Sequence, residues 1–248
     1  MSKRVALVTG GNGGIGSAIC RELAAQGHVV VAGYFPPEKE SAEAWQKQMK
    51  EQGSTIALCA LDVANFADCE RAVAQITEEF GSVDILVNCA GITRDGTLKK
   101  MPEANWKAVI ATNLDSAFNV TRHVINGMLD KGWGRIVNIA SVNGQRGQFG
   151  QANYSAAKAG MHGFTMAVAL ETAAKGITVN TVSPGYIATA MTEAMPEEVL
   201  KSIVNSVPMR RMGKPEEIAN AVAWLASEGN GYTTGANIPV NGGLFTSH

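Results

Sequence analysis

Three side chains within residues 134–165 have the types and spacing to move a proton. Ser141 closes an apolar run, and Tyr154 and Lys158 follow it one helical turn apart. On a helix, positions i and i+4 share a face, so the phenol and the ammonium point the same way. A cation beside a phenol favours phenolate, and Lys158 is therefore expected to lower the pKa of Tyr154. So tuned, Tyr154 can exchange a proton with a substrate oxygen near neutral pH. Ser141, at a strand end, can hydrogen-bond the same oxygen. Taken alone, Y-x-x-x-K also describes a surface tyrosine one turn before a lysine, so the surrounding elements decide.

Those elements alternate. Short apolar runs at 4–9, 28–32, 55–61, 83–88, 135–140, 177–183 and 237–240 read as strands. Helical periodicity fills the intervals: from the first glycine cluster to Gln26, then 38–52, 66–80, 103–129, 152–175, 197–205 and 215–227. A Gly/Gln-rich loop is expected between Ser141 and the long helix. Strands that alternate with helices, and are apolar on both faces, indicate a parallel sheet covered on both sides. There is no linker, repeat or low-complexity tract, so one domain over 1–248 is expected.

Composition narrows the class. The 248 residues are 46% hydrophobic and 17% charged, as in a globular domain with a sizeable core. A net charge of −1 argues against nucleic acid as a partner. The four cysteines, Cys20, Cys59, Cys69 and Cys89, show neither C-x-x-C spacing nor a nearby His. Free thiols in a reducing compartment are expected, with no metal site. The first residues read as a strand and not as a signal peptide, and no apolar run has the length of a membrane span. A cytoplasmic protein is the expectation.

The strand ends carry the remaining signals. Gly10, Gly11, Asn12, Gly13, Gly14, Ile15 and Gly16 lie between the first strand and the first helix. There the backbone can turn tightly and offer N–H groups to a pyrophosphate at the helix N-terminus. Asp62, just past the third strand, can accept from an adenine amino group or simply cap a turn. Asn88, Cys89, Ala90 and Gly91 end the fourth strand, where small residues let backbone lie against a ribose. Asn113 sits mid-helix, an unfavourable place that asks for a reason.

Together these residues resemble the short-chain dehydrogenase/reductase family. The T-G-x-x-x-G-I-G loop of residues 9–16, the N-C-A-G turn, Asn113, Ser141, Y-x-x-x-K and Pro184-Gly185 stand in the family's order over nearly the whole chain. The one departure is Cys89, where the family's turn carries a second Asn. The resemblance implies a Rossmann-type, doubly wound, seven-stranded parallel sheet and commonly a homotetramer. It implies a catalytic tetrad of Asn113, Ser141, Tyr154 and Lys158, with Lys158 also holding the nicotinamide ribose and Asn113 supporting a water. For the cofactor it implies Gly10, Asn12, Gly13, Gly14, Ile15, Gly16, Gly33, Tyr34, Asp62, Asn88, Ala90, Gly91, Pro184 and Gly185, with Ile187 and Thr189 near the carboxamide. Small residues on the long helix (Ala156, Ala157, Ala159, Gly160 and Gly163) would let a partner subunit pack closely.

The likeness narrows to the subgroup that reduces acetoacetyl-CoA for polyhydroxybutyrate synthesis. It rests on residues 91–95, 132–135, 141–145 and 148–154. In that subgroup, residues matching Asp95, Gln148, Phe149, Gln151 and Tyr186 line the acyl pocket. Arg94, Lys99, Lys100 and Arg146 are candidates for the CoA phosphates. Reduction of the same 3-oxoacyl group on acyl-carrier protein is the alternative, and a non-catalytic nucleotide sensor is an alternative of another class. For the cofactor, an acid after the second strand accepts from the ribose of NADH, whereas Arg there accommodates the NADPH phosphate. Gly33 replaces the usual Asp, but no Arg lies between Arg21 and Arg71, and Glu38 and Glu40 flank Lys39. Carboxylates repel a phosphate and one Lys replaces a bidentate Arg poorly, so NADH is expected to be preferred, with NADPH usable.

Overall fold

The computed structural model describes residues 3–189, 192 and 196–246. Its centre is one sheet of seven parallel strands: β1 (Val5–Thr9), β2 (Val29–Tyr34), β3 (Ile56–Ala60), β4 (Ile85–Asn88), β5 (Gly134–Ile139), β6 (Ile177–Pro184) and β7 (Asn237–Val240). They lie in the order β3-β2-β1-β4-β5-β6-β7, the doubly wound arrangement expected from the alternation. Every residue of β1, β4, β5 and β6 is buried, as a sheet with helices on both faces requires. Pro239, which has no N–H for a ladder, falls on the edge strand β7.

The helices divide between the two faces. Helices α1 (Gly14–Ala25) and α2 (Lys39–Glu51) pack on one face. They share it with α9 (Pro215–Ala226), through Ile19, Leu23, Met49, Ile218, Val222 and Leu225. Helices α3 (Phe66–Phe80) and α5 (Ser116–Lys131) cover the other with Cys69, Ile76, Val120, Val124 and Met128. Helix α7 (Ala152–Thr172) joins that layer, its Met161 meeting Ala117 of α5 and Ala140. A further helix, α8 (Glu197–Ser206), precedes α9.

Three local features differ from the sequence reading. The stretch expected as one helix over 103–129 is α4 (Glu103–Ile110), then a π turn at Ala111–Asp115, then α5. The loop expected after Ser141 contains a short helix, α6 (Val142–Arg146), whose first turn Ser141 caps by accepting from Asn143 N at 3.1 Å. The long helix ends at Thr172, and a 3₁₀ turn at Ala173–Lys175 carries the chain to Gly176, in left-handed conformation.

Strand order reverses between β1 and β4, and the sheet's carboxyl ends gather there. In open α/β sheets that crevice is where ligands bind. The glycine loop, Asp62, the Asn88–Gly91 turn, Ser141 and Pro184 all leave from those ends.

Candidate active site

The glycine loop is shaped by close approach. Gly10 has φ +63°, and a Cβ at Gly16 would collide with the Gly10 carbonyl oxygen and lie 2.9 Å from its carbon. Gly13 caps α1 without any side-chain hydrogen bond, so the first N–H groups of that helix take no internal cap. An uncapped N-terminus under a loop made mostly of glycine fits a dinucleotide pyrophosphate. Thr189 lies against the same loop: a Cβ at Gly14 would stand 2.8 Å from its Cγ2. Asn12 Nδ2 donates to Glu38 Oε2 at 3.3 Å, across the loop's open side. Gly33 and Tyr34 extend β2 past the expected end, with Gly33 in register with Thr9 and Cys59.

Thr9 joins the two strands at the switch point. Its hydroxyl accepts from Cys89 N and Ala90 N, both at 3.0 Å, and so fixes the turn after β4 against the end of β1. Asp62 Oδ1 accepts from Ala64 N at 3.0 Å, so one of its oxygens serves a turn. Asn88 points inward. Its amide donates to Asn138 Oδ1 at 2.8 Å and to Thr121 Oγ1 at 3.3 Å, in a fully buried setting. Asn138 continues to Thr165 Oγ1 at 2.8 Å, and Thr181 donates to the same oxygen at 2.8 Å. That network ties β4, β5, β6 and α7 together. Any contact of Asn88 with a cofactor would therefore come from its backbone.

The four tetrad candidates converge. Lys158 is 3% exposed, and its ammonium donates to Ile139 O at 2.8 Å, at the end of β5. Its Nζ lies 5.7 Å from the centroid of the Tyr154 ring. Asn113, with no exposure, donates to Ile92 O and Val109 O at 2.9 Å and accepts from Ile92 N at 3.2 Å. These bonds give the reason the sequence asked for: the π turn presents Asn113 to the strand-end segment around Ile92. Gly91 lies between them, and a Cβ there would stand 2.6 Å from Asn113 Oδ1 and 3.6 Å from Lys158 Nζ. Ser141 stands close enough to the Tyr154 phenol to pull its pKa down.

The electrostatics correct one expectation. Lys158 does not lower the Tyr154 pKa; burial raises it, Ser141 opposes that, and Cys89 and Asp95 add to it. Desolvation of the phenol outweighs a cation that is itself spent on a backbone carbonyl. The phenol therefore keeps its proton, the form that a donor needs. Burial lowers Lys158 from 10.5 to about 8, with Cys89 opposing. The Cys89 thiol is pushed up to about 11, also by burial, against the pull of Lys158.

The acyl-pocket residues fall into three sets. Asp95 and Gln151 come together, Gln151 Nε2 donating to Asp95 Oδ2 at 2.9 Å. Gly96 pairs with Gln151 beside them. Gln148 and Phe149 lie on an exposed turn, where Arg146 donates to Gln148 Oε1 at 3.2 Å and Phe149 is 88% exposed. Tyr186 follows β6 and lines a separate cavity of about 330 Å³ with Ile187, Met209 and Arg211. Ile187 pairs with Gly213, and its carbonyl accepts from Thr192 Oγ1 at 2.9 Å. Of the CoA-phosphate candidates, Arg94 donates to Thr93 O at 2.9 Å, and Lys99 and Lys100 stand on an exposed 3₁₀ turn.

Some supporting residues were not singled out from sequence. Asn153, fully buried, donates to Arg94 O at 3.0 Å and accepts from Tyr154 N at 2.8 Å, fixing the loop beside the phenol. Its place beside Tyr154 in the motif was the only signal.

A glycine loop under an uncapped helix, on a doubly wound sheet whose strand ends gather Ser, Tyr and Lys, defines a class of oxidoreductases. The chain belongs to the short-chain dehydrogenase/reductase family. The family model that matches it, described as enoyl-(acyl carrier protein) reductase, covers residues 10–245. The chain is 62% identical to an acetoacetyl-CoA reductase of Allochromatium vinosum over 242 residues, 98% of each chain. It is 56% identical to an acetoacetyl-CoA reductase of Cupriavidus necator over 244 residues, 98% of this chain and 99% of the relative. Over 247 residues, the full length of both, it is 45% identical to the 3-oxoacyl-[acyl-carrier-protein] reductase FabG of Haemophilus influenzae.

Proposed function

We propose that this chain is an acetoacetyl-CoA reductase, reducing the C3 ketone to (R)-3-hydroxybutyryl-CoA for polyhydroxybutyrate synthesis. The observation that carries the reading is the convergence of Ser141, Tyr154, Lys158 and Asn113 at the strand ends. The acetoacetyl-CoA reductases at 49–62% identity over nearly the whole chain supply the substrate. A bound nicotinamide cofactor supplies the hydride that adds to C3. Ser141 and Tyr154 hydrogen-bond the ketone oxygen as negative charge develops on it, and the phenol gives up its proton to the alkoxide. Lys158, charged below about pH 8, would hold the cofactor ribose from its place beneath the phenol ring. Asn113 fixes the segment from Gly91 to Ile92 against that ammonium.

The glycine loop, Asp62, the Ala90-Gly91 turn, Pro184-Gly185, Ile187 and Thr189 form the cofactor cleft in this reading, and Asp95, Gln148, Phe149, Gln151 and Tyr186 the acyl side. NADH is the preferred cofactor. Glu38, held by Asn12, sits beyond β2 where a 2′-phosphate would be repelled. Lys39 reaches Glu43 on its own helix at 3.8 Å and turns away from that corner.

The assembly is a homotetramer in the cytoplasm. Met166 and Leu170 of α7 are 53% and 85% exposed, and Phe118 of α5 stacks on Phe66 at 5.8 Å with both rings about half exposed, which leaves apolar helix faces for partner subunits. Among the described residues no helix is long and apolar enough to cross a membrane.

The test is steady-state kinetics with acetoacetyl-CoA and with acetoacetyl-acyl-carrier protein, each with NADH and NADPH. The second reading, a 3-oxoacyl-acyl-carrier-protein reductase, is favoured by the FabG relatives and by nothing in the site. Preference for the protein-bound thioester would replace the first reading with it. No oxidation of either cofactor would leave a nucleotide sensor.

A further inference from the structure

A chain of hydrogen bonds runs from the acyl side of the cleft to Ser141, and its middle member has no role in the reading above. Asp95 Oδ2 accepts from Gln151 Nε2 at 2.9 Å, and Gln151 Oε1 accepts from Asn143 Nδ2 at 2.9 Å. The backbone N–H of Asn143 donates to Ser141 Oγ at 3.1 Å. The direction of the chain follows from chemistry. An ionised carboxylate only accepts, so Gln151 must turn its NH₂ to Asp95 and its carbonyl the other way. That carbonyl then needs a donor, and Asn143 Nδ2 is the donor it meets. A flipped Gln151 would set oxygen against carboxylate and NH₂ against NH₂. Asn143 Oδ1 has no hydrogen-bond partner among the described residues, so this amide is oriented through Nδ2 alone.

Position makes the chain consequential. Asn143 lies in the first turn of α6, directly after β5, while Gln151 is the residue before α7, which carries Tyr154 and Lys158. Asp95 belongs to the loop after β4, and Gly96 N donates to Gly150 O at 2.8 Å beside it. One asparagine thus spans the serine, the loop that bears Asp95 and the entrance to the catalytic helix.

We propose that Asn143 is a positioning residue for substrate: it locks the amide plane of Gln151, and through it Asp95, so that the acyl wall of the cleft is set before the thioester arrives. The inference rests on the reading of Asp95 and Gln151 as acyl-pocket residues. A locked amide loses no rotamer freedom on binding, so the effect belongs in KM for the thioester.

The experiment is a double-mutant cycle on the full-length enzyme, with Asn143→Ala, Gln151→Ala and the double variant. KM for acetoacetyl-CoA, kcat, Kd for cofactor and melting temperature are measured for each. Asn143→Ala should raise KM for acetoacetyl-CoA about tenfold, with kcat, cofactor Kd and melting temperature near wild type. The double variant should be no worse than Gln151→Ala. Asn143→Asp keeps the shape and removes the donor, so it should match Asn143→Ala. A wild-type KM in Asn143→Asp, or effects that add in the double variant while Gln151→Ala alone raises KM, would overturn the proposal and leave the pocket standing. A Gln151→Ala enzyme with wild-type KM would instead remove the pocket reading, and the proposal with it.

Discussion

Lys158 Nζ donates to the carbonyl oxygen of Ile139 at 2.8 Å, anchoring the lysine of α7 to the strand that delivers Ser141 two residues later. The bond holds the ammonium in a place with almost no solvent, and burial lowers its pKa from 10.5 to about 8. A lysine so placed is kept against its own solvation, which makes it separable from a structural residue by experiment.

Replacing it should stabilise the fold. With the folded pKa below the unfolded one, the unfolded chain binds more protons between about pH 8 and 10.5, so stability rises with pH through that window. The cost of burying the charge is present in full below pH 8 and is on the order of 3 kcal/mol. Part of it is offset by the bond to Ile139. Lys158→Met should therefore melt above wild type at pH 7, with the gap closing toward pH 10.5, while cofactor affinity falls. Melting curves across that range check this, and a gap that widens with pH contradicts it.

Tyr154→Phe keeps the ring and removes the proton donor. Turnover should fall about 10²- to 10⁴-fold, with cofactor Kd within about twofold of wild type. Because the phenol's pKa is raised, wild-type reduction should hold its rate through neutral pH without an inflection from this group. Rates near wild type in the Phe variant would remove Tyr154 from the mechanism.

Asn113→Ala removes three buried hydrogen bonds, to Ile92 O, Val109 O and from Ile92 N. A loss of about 2–3 kcal/mol is expected, together with lower activity, because the Gly91 backbone is no longer held against Lys158. Chemical denaturation measures the first and kcat the second. A variant with unchanged stability would mean that the π turn holds itself.

Much of this was legible in the sequence, because strand burial and helix periodicity are local. The run 66–80 and the run 237–240 match α3 and β7 at both ends. Ser141, Tyr154 and Lys158 were legible as a group because a strand end and one helix face bring them together, whereas Asn113 entered the tetrad only through the family resemblance. What was not legible depends on distant partners. The π turn follows from Asn113 meeting Ile92, and Asn88 turns inward because Asn138 and Thr121 wait there. The Tyr154 pKa followed burial, a property of the folded whole, and not the lysine one turn away. Helix α6 needed the Ser141 cap, whose partner Asn143 is local but was read as loop.

Glu38→Arg should reverse cofactor choice. In wild type, kcat/KM should favour NADH, and the variant should gain at least about tenfold toward NADPH, some 1.4 kcal/mol. Kd values for both cofactors, measured without substrate, separate binding from turnover. A wild-type preference for NADPH would assign that corner to Lys39 despite its contact with Glu43.

The choice of thioester is read from kcat/KM for acetoacetyl-CoA against the same acyl group on acyl-carrier protein, at saturating NADH. An acetoacetyl-CoA reductase should prefer the CoA thioester by about tenfold or more. Equal values, or a preference for the carrier protein, would contradict that assignment.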